Sequence, residues 1–265
     1  MNDRPIGVFD SGLGGLTVVK ALSKLLPYES IIYFGDTARL PYGVKSQELV
    51  KQFSKQITKF LLKKNAKAII IACNTATATA LFSLKNEFKN IPIIGVIEPG
   101  SKKAVFETNT KKIGVIGTLA TIASGAYDKA IKEKDREVKI ISKACPLFVP
   151  FVEEGIINGS AINEIAKHYL DSFNNNVDTL ILGCTHYPLL KGIISNNTKN
   201  ISLIDSASSV AEASYKELSD NKLLSAKQNP GNLQCYVTDL PMRFKELGDI
   251  FLGSNIKNVQ LVNEF

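Results

Sequence analysis

The chain reads as an α/β protein built from two pseudo-symmetric lobes, each a mostly parallel sheet flanked by helices. Three observations predict this. Short β-branched apolar runs alternate with amphipathic segments along all 265 residues. Most of those runs are continuously apolar rather than alternating, the pattern of strands covered on both faces. Two stretches also recur at nearly equal spacing. Ile6-Gly-Val-Phe9 returns as Ile113-Gly-Val-Ile116, and Ala68-Ile-Ile-Ile-Ala-Cys73 returns as Thr179-Leu-Ile-Leu-Gly-Cys184. Similar offsets in the same order point to duplicated half-molecules.

The elements follow in order. A first strand, residues 6–9, runs into the glycine-rich turn Asp10-Ser-Gly-Leu-Gly-Gly15 and a helix over 16–26. A second strand, 31–34, ends in the polar loop Asp36-Thr-Ala-Arg-Leu-Pro-Tyr-Gly43, which Pro41 stiffens and Gly43 turns. Amphipathic periodicity then gives a helix over 46–64, a strand over 68–72, a helix over 75–89 and a strand over 93–96. Pro99-Gly100 reads as a turn and as a boundary between lobes. Beyond it the pattern predicts helices over 101–108, 120–134, 160–174, 189–195 and 207–218. Strands over 113–117, 138–142, 179–182 and 201–204 are interleaved with them. The tail adds two weaker strands, 234–237 and 259–262, around a short helix.

Composition narrows the function. A hydrophobic content of 45% with 22% charged residues describes a soluble globular protein. The net charge of +7 comes from lysines spread along the chain, so it reads as solvated helix faces with a mild field for a small anion. No arginine-rich run or basic stripe interleaved with aromatics suggests nucleic acid. No apolar stretch reaches the ~20 residues of a membrane span, and the N-terminus lacks the shape of a signal peptide, so a cytoplasmic location is expected. Four cysteines are too few for a disulfide scaffold, and no Cys-x-x-Cys occurs. With only His168 and His186 present, no metal site is expected.

The chemistry concentrates at strand ends, where open parallel sheets place ligands. Cys73, followed by Asn74 and Thr75, and Cys184, followed by Thr185 and His186, look like two copies of one element. Two thiols facing across a cleft can remove a proton from one side of a carbon centre and return one on the other. A strand-end thiol near helix amides has its reactive thiolate stabilised, and His186 could orient or protonate its neighbour. Asp10 and Ser11 could cap the first helix or touch a ligand. Backbone amides and the Tyr42 hydroxyl in the Asp36–Gly43 loop could hold a carboxylate. Thr118 and Thr121 occupy in the second half the place of Asp10 and Ser11 in the first. Glu153 is a candidate charge near the cleft, with Glu154 the more exposed of the two. Cys145, Cys235 and His168 read as structural.

Five stretches in order resemble one family: Phe9-Asp10-Ser-Gly-Leu-Gly-Gly-Leu-Thr17, Asp36–Gly43, Ala72-Cys-Asn-Thr75, Cys145-Pro-Leu-Phe-Val-Pro150 with Glu153, and Gly183-Cys-Thr-His-Tyr-Pro188. They are similar to the glutamate racemases of the cofactor-independent aspartate/glutamate racemase superfamily. The resemblance implies L-/D-glutamate interconversion without a cofactor, supplying D-glutamate for peptidoglycan. It implies that Cys73 and Cys184 are acid/base thiols, assisted by Asp10 and His186 respectively, with Glu153 in support. It further implies that Ser11, Tyr42, Gly43, Asn74, Thr75, Thr118, Thr121 and Thr185, with Asp10 and His186, bind substrate. A discontinuous first lobe (1–97 plus 208–265), a second lobe (98–207) and a possible homodimer also follow from it. Residue chemistry alone leaves open a racemase for another amino acid, a cysteine nucleophile forming an acyl-enzyme, and a non-catalytic binding protein. A pyridoxal enzyme would need a Schiff-base lysine and a phosphate cup, and no lysine stands out.

Overall fold

The computed structural model describes residues 2–263 and contains two wholly parallel sheets flanked by helices. The first half of the chain runs β1 (Ile6–Asp10), α1 (Leu16–Leu25), β2 (Ile31–Gly35), α2 (Gln47–Lys63), β3 (Ala68–Ile71), α3 (Asn74–Glu87), β4 (Ile93–Gly95) and α4 (Ile97–Glu107). The second runs β5 (Lys112–Gly117), α5 (Leu119–Ala123), α6 (Ala126–Lys134), β6 (Lys139–Ala144), α7 (Phe148–Glu153), α8 (Ser160–Leu170), β7 (Thr179–Gly183), α9 (Lys191–Asn196) and β8 (Ser202–Asp205). The chain then continues through α10 (Ser206–Asp220) to β9 (Leu233–Val237), α11 (Pro241–Leu252) and β10 (Val259–Leu261).

The strand order is β10-β9-β2-β1-β3-β4 in one sheet and β6-β5-β7-β8 in the other. The four strands β2-β1-β3-β4 therefore repeat the order β6-β5-β7-β8. In each half the Ile-Gly-Val strand is central and pairs in parallel with the strand that ends at the cysteine, Ile6 opposite Ala68 and Ile113 opposite Thr179. The sequence repeat is thus a repeat of topology. The continuous apolar runs are buried on both faces, as β3 shows over its whole length. One contiguous apolar core joins the halves, with α1, α4 and α10 packed between the two sheets.

Several helix boundaries differ from the sequence expectation. Pro99 and Gly100 lie inside α4 rather than in a turn. Pro99 occupies the first helical turn, where an amide has no intrahelical acceptor, so its missing N–H costs nothing. The predicted 120–134 helix is broken into α5 and α6 by Gly125, whose φ of 63° is left-handed. Helix α7 was not predicted, because prolines at 146 and 150 masked it. Pro150 again sits in the first turn. The Asp36–Gly43 loop contains two single 3₁₀ turns, 37–39 and 42–44.

Candidate active site

A cleft opens where the carboxyl ends of β1, β2 and β3 face those of β5 and β7. Its wall includes Ser11, Tyr42, Gly43, Cys73, Asn74, Thr75, Thr118, Glu153, Cys184, Thr185 and His186. Apolar side chains not singled out in the sequence complete it, among them Leu40, Val44, Leu119 and Val149. Of the sequence-predicted site residues, Asp10 and Thr121 stand behind the wall. Among the described residues no lysine or arginine lines the cleft.

The first thiol sits between a strand and a helix. Cys73 is the N-cap of α3, and its Sγ accepts the Ala76 amide at 3.4 Å, with the Ser11 hydroxyl at 3.9 Å. Burial pushes the Cys73 thiol well up, and the nearby Asp10 charge pushes it further. Asp10 is completely buried, and its Oδ2 accepts the amides of Gly12 and Gly15 at 3.3 and 3.0 Å. Its Oδ1 has no hydrogen-bond partner among the described residues. Burial raises the Asp10 carboxyl, and the His186 charge and the amides offset this in part.

The second thiol has a different neighbourhood. Cys184 Sγ lies 3.8 Å from His186 Nδ1, and His186 Nε2 lies 3.1 Å from Glu153 Oε1. Burial opposes the imidazolium, but the Cys184 and Glu153 hydrogen bonds outweigh it and lift His186 to about 10. The histidine is therefore positive at neutral pH and favours negative charge on the Cys184 sulfur. Glu153, at the end of α7, is partly buried, whereas Glu154 reaches out to Arg243. Gly14 lets the glycine-rich turn press on this group. A Cβ there would stand 2.2 Å from Thr185 Oγ1 and 2.6 Å from His186 Nδ1.

Around the thiols the polar groups hold one another. The hydroxyls of Thr75, Thr118 and Thr121 form a triangle with sides of 3.0–3.1 Å, joining α3 to α5. The Tyr42 hydroxyl, expected to be available to a carboxylate, instead donates to buried Asp36, which also holds Arg39 and the Thr238 hydroxyl. The Asp36–Gly43 loop is thus fastened from beneath by the end of β9. Asp36 and Thr238 carry no recognisable signal as loop supports, because Thr238 is far away in sequence. Cys145 and Cys235 are fully buried, and His168 is exposed on α8. Among the described residues no His, Cys, Asp and Glu cluster suits a metal, and no helix is long and apolar enough to cross a membrane.

Residues 6–213 match the profile of the Asp/Glu/Hydantoin racemase family. The chain belongs to that family. The enzyme is accordingly an isomerase of the racemase class. It is 47% identical to the glutamate racemase of Chlorobaculum tepidum, over 98% of this chain and 97% of that one. Its fold superposes on the glutamate racemase of Francisella tularensis, solved with D-glutamate, at a TM-score of 0.93 and 43% identity, covering 99% and 98% of the two chains. A glutamate racemase isoform of Bacillus anthracis superposes at 0.95 with 39% identity over 99% and 98%. The two α/β sheets expected from the sequence are therefore the family's fold.

Proposed function

We propose that this enzyme interconverts L- and D-glutamate by a two-base mechanism, with Cys73 and Cys184 acting on opposite faces of Cα. The observation that carries the proposal is the placement of two buried thiols at equivalent strand ends of the repeated topology, both on the wall of one cleft. Each has its own proton-handling neighbour, Asp10 for Cys73 and the His186–Glu153 pair for Cys184.

The chemistry needs more than one base. A positioned acid or base contributes only ~10²–10⁴-fold, and the Cα proton of an amino acid is very weakly acidic. The remainder comes from orientation and from donors aimed at charge developing on the α-carboxylate. Hydroxyls and amides at Ser11, Asn74, Thr75, Thr118 and Thr185 supply such donors where no lysine or arginine does. In this scheme one thiol starts loaded and the other empty; burial keeps the proton on Cys73, and an imidazolium stands beside Cys184. Proton removal by one and delivery by the other leaves the two in exchanged states, ready for the opposite enantiomer. The lobe division, 1–97 with 208–265 against 98–207, puts one thiol on each lobe. Supply of D-glutamate for peptidoglycan, in the cytoplasm, is the role this activity serves.

The test is incubation with L-glutamate in D₂O without added cofactor, following optical rotation and the Cα NMR signal. Loss of rotation with deuterium entering Cα is expected. Alanine at either cysteine should lower the rate by at least ~10²-fold. Near-normal turnover by Cys184→Ala defeats the two-base scheme. A stable acyl adduct on one cysteine points to the nucleophile reading instead.

A further inference from the structure

Asn74 follows Cys73 directly, lines the cleft and is 2% exposed. Its side-chain Oδ1 accepts the Tyr127 hydroxyl at 2.7 Å and lies 3.4 Å from the Ser206 hydroxyl. Its Nδ2 is buried and has no partner among the described residues. A side-chain amide has one accepting and one donating end. The 2.7 Å separation is typical of O–H···O and short for N–H···O, so the oxygen is the end facing Tyr127. The –NH₂ is left for whatever occupies the cleft.

Tyr127 does not line the cleft, but it touches residues flanking both thiols. It is buried on α6, its hydroxyl bonds the residue after Cys73, and its ring lies against Gly183, the residue before Cys184, where a Cβ would stand 3.0 Å away. Ser206 completes the link by donating its single proton to the Tyr127 oxygen at 3.2 Å, which leaves the phenol proton for Asn74; the Leu182 carbonyl of β7 is also within 3.1 Å of the Ser206 hydroxyl. A buried, unpaired N–H costs free energy until a ligand satisfies it, and a donor of this kind suits a carboxylate oxygen and repels an ammonium group.

We propose that Tyr127 is a positioning residue that, with Ser206, holds the Asn74 amide with its –NH₂ toward the cleft as a carboxylate donor. This inference rests on the glutamate-racemase reading and adds a residue from the second half of the chain that controls binding in the first. It acts through Asn74 alone, which a double-mutant cycle isolates.

The experiment measures deuterium incorporation at Cα of L- and D-glutamate for the wild type, Tyr127→Phe, Asn74→Ala and the double variant. Tyr127→Phe should lower kcat/KM about 10-fold, the order of one orienting hydrogen bond. In the Asn74→Ala background the same change should alter kcat/KM by less than about 2-fold. An equal loss in both backgrounds, the outcome of a merely structural role, overturns the proposal, as does no loss in the wild-type background. Ser206→Ala, which leaves the Tyr127 ring in place, should show the same dependence on Asn74, and an Asn74-independent loss counts against it. Asn74→Asp, which offers the cleft an acceptor, should bind D-glutamate no better than Asn74→Ala, and tighter binding overturns the donor assignment. If the wild type itself exchanges no deuterium, the functional reading has failed, an outcome distinct from all of these.

Discussion

Glu153→Gln is the sharpest perturbation of the Cys184 side of the site. The carboxylate lies 3.1 Å from His186 Nε2, and glutamine keeps the acceptor while removing the charge. At that distance and an effective dielectric of about 20, the charge pair is worth about 5 kcal/mol. Desolvation of both partners takes back the larger share, leaving about 1.5–3 kcal/mol, as for other hydrogen bonds to charged groups. That equals a fall of about 1–2 pH units in His186. The wild-type imidazolium is held to about 10, so the alkaline limb of kcat/KM, which reports the free enzyme, should move from near 10 to about 8–9.

The assay is the initial rate of loss of circular dichroism from each enantiomer between pH 6 and 10.5 at constant ionic strength. NMR of labelled histidine gives an independent readout, because the chain has only two histidines and the other, His168, is exposed. A raised histidine pKa also contributes to folding. That contribution is complete below the unfolded value of about 6.5 and is lost as pH rises through about 10, so thermal stability of Glu153→Gln should begin to fall at lower pH. If both the alkaline limb and the His186 titration stay where the wild type has them, Glu153 does not hold the imidazolium, and the account of Cys184 is wrong.

Asp10→Asn retains an acceptor for the Gly12 and Gly15 amides but cannot take up a proton, so kcat should fall ~10–100-fold with little change in thermal stability. An unchanged kcat would remove Asp10 from the proton path. Gly14→Ala drives a methyl into Thr185 and His186, and about 1–3 kcal/mol of lost stability with collapse of racemisation is expected from denaturant unfolding and rate assays. Wild-type values in both would show that the turn yields freely. Lys67→Met strands Glu29, with which Lys67 forms a buried ion pair, and should cost about 3–5 kcal/mol in urea unfolding. The Lys67→Met, Glu29→Leu double variant should recover part of that loss, although the Ser225 amide then loses its acceptor.

The strands are legible because most are continuous apolar runs, and all ten lie within two residues of the expected bounds. The repeat was legible because the same residue types serve the same central strands, Ile6–Phe9 and Ile113–Ile116. Helix starts containing proline were not, since Pro99 and Pro150 look like breakers unless the first turn is already located. The joining of β9 and β10 to the first sheet followed from family resemblance, because residue pattern gives no partner for a weak strand. In the site, the groups next to the cysteines in sequence were found. Those that reach it through space, Thr238 beneath Asp36 and Tyr127 against Asn74, have no local pattern. A lone tyrosine on an amphipathic helix reads as core, and Tyr127 is core in every respect except its hydroxyl.

Duplication alone would defeat a two-base racemase. Two thiols in equivalent surroundings would carry equal proton affinities, and the proposed mechanism needs one loaded and one empty at the start of each turnover. The repeated topology supplies equivalent positions, and the side chains around them break the equivalence. A buried carboxyl with an unpaired oxygen stands behind Cys73 and keeps charge off its sulfur, while an imidazolium backed by a carboxylate stands beside Cys184 and draws charge onto it. The same asymmetry bears on catalysis in both directions. In the proposed scheme one turnover exchanges the protonation of the two thiols, so the enzyme returns to its starting state by reaction with the opposite enantiomer or by exchange with solvent. Substitutions that make the two environments alike, such as Glu153→Gln, should therefore reduce turnover even where substrate binding is unchanged, because they reduce the fraction of enzyme holding one proton in the right place.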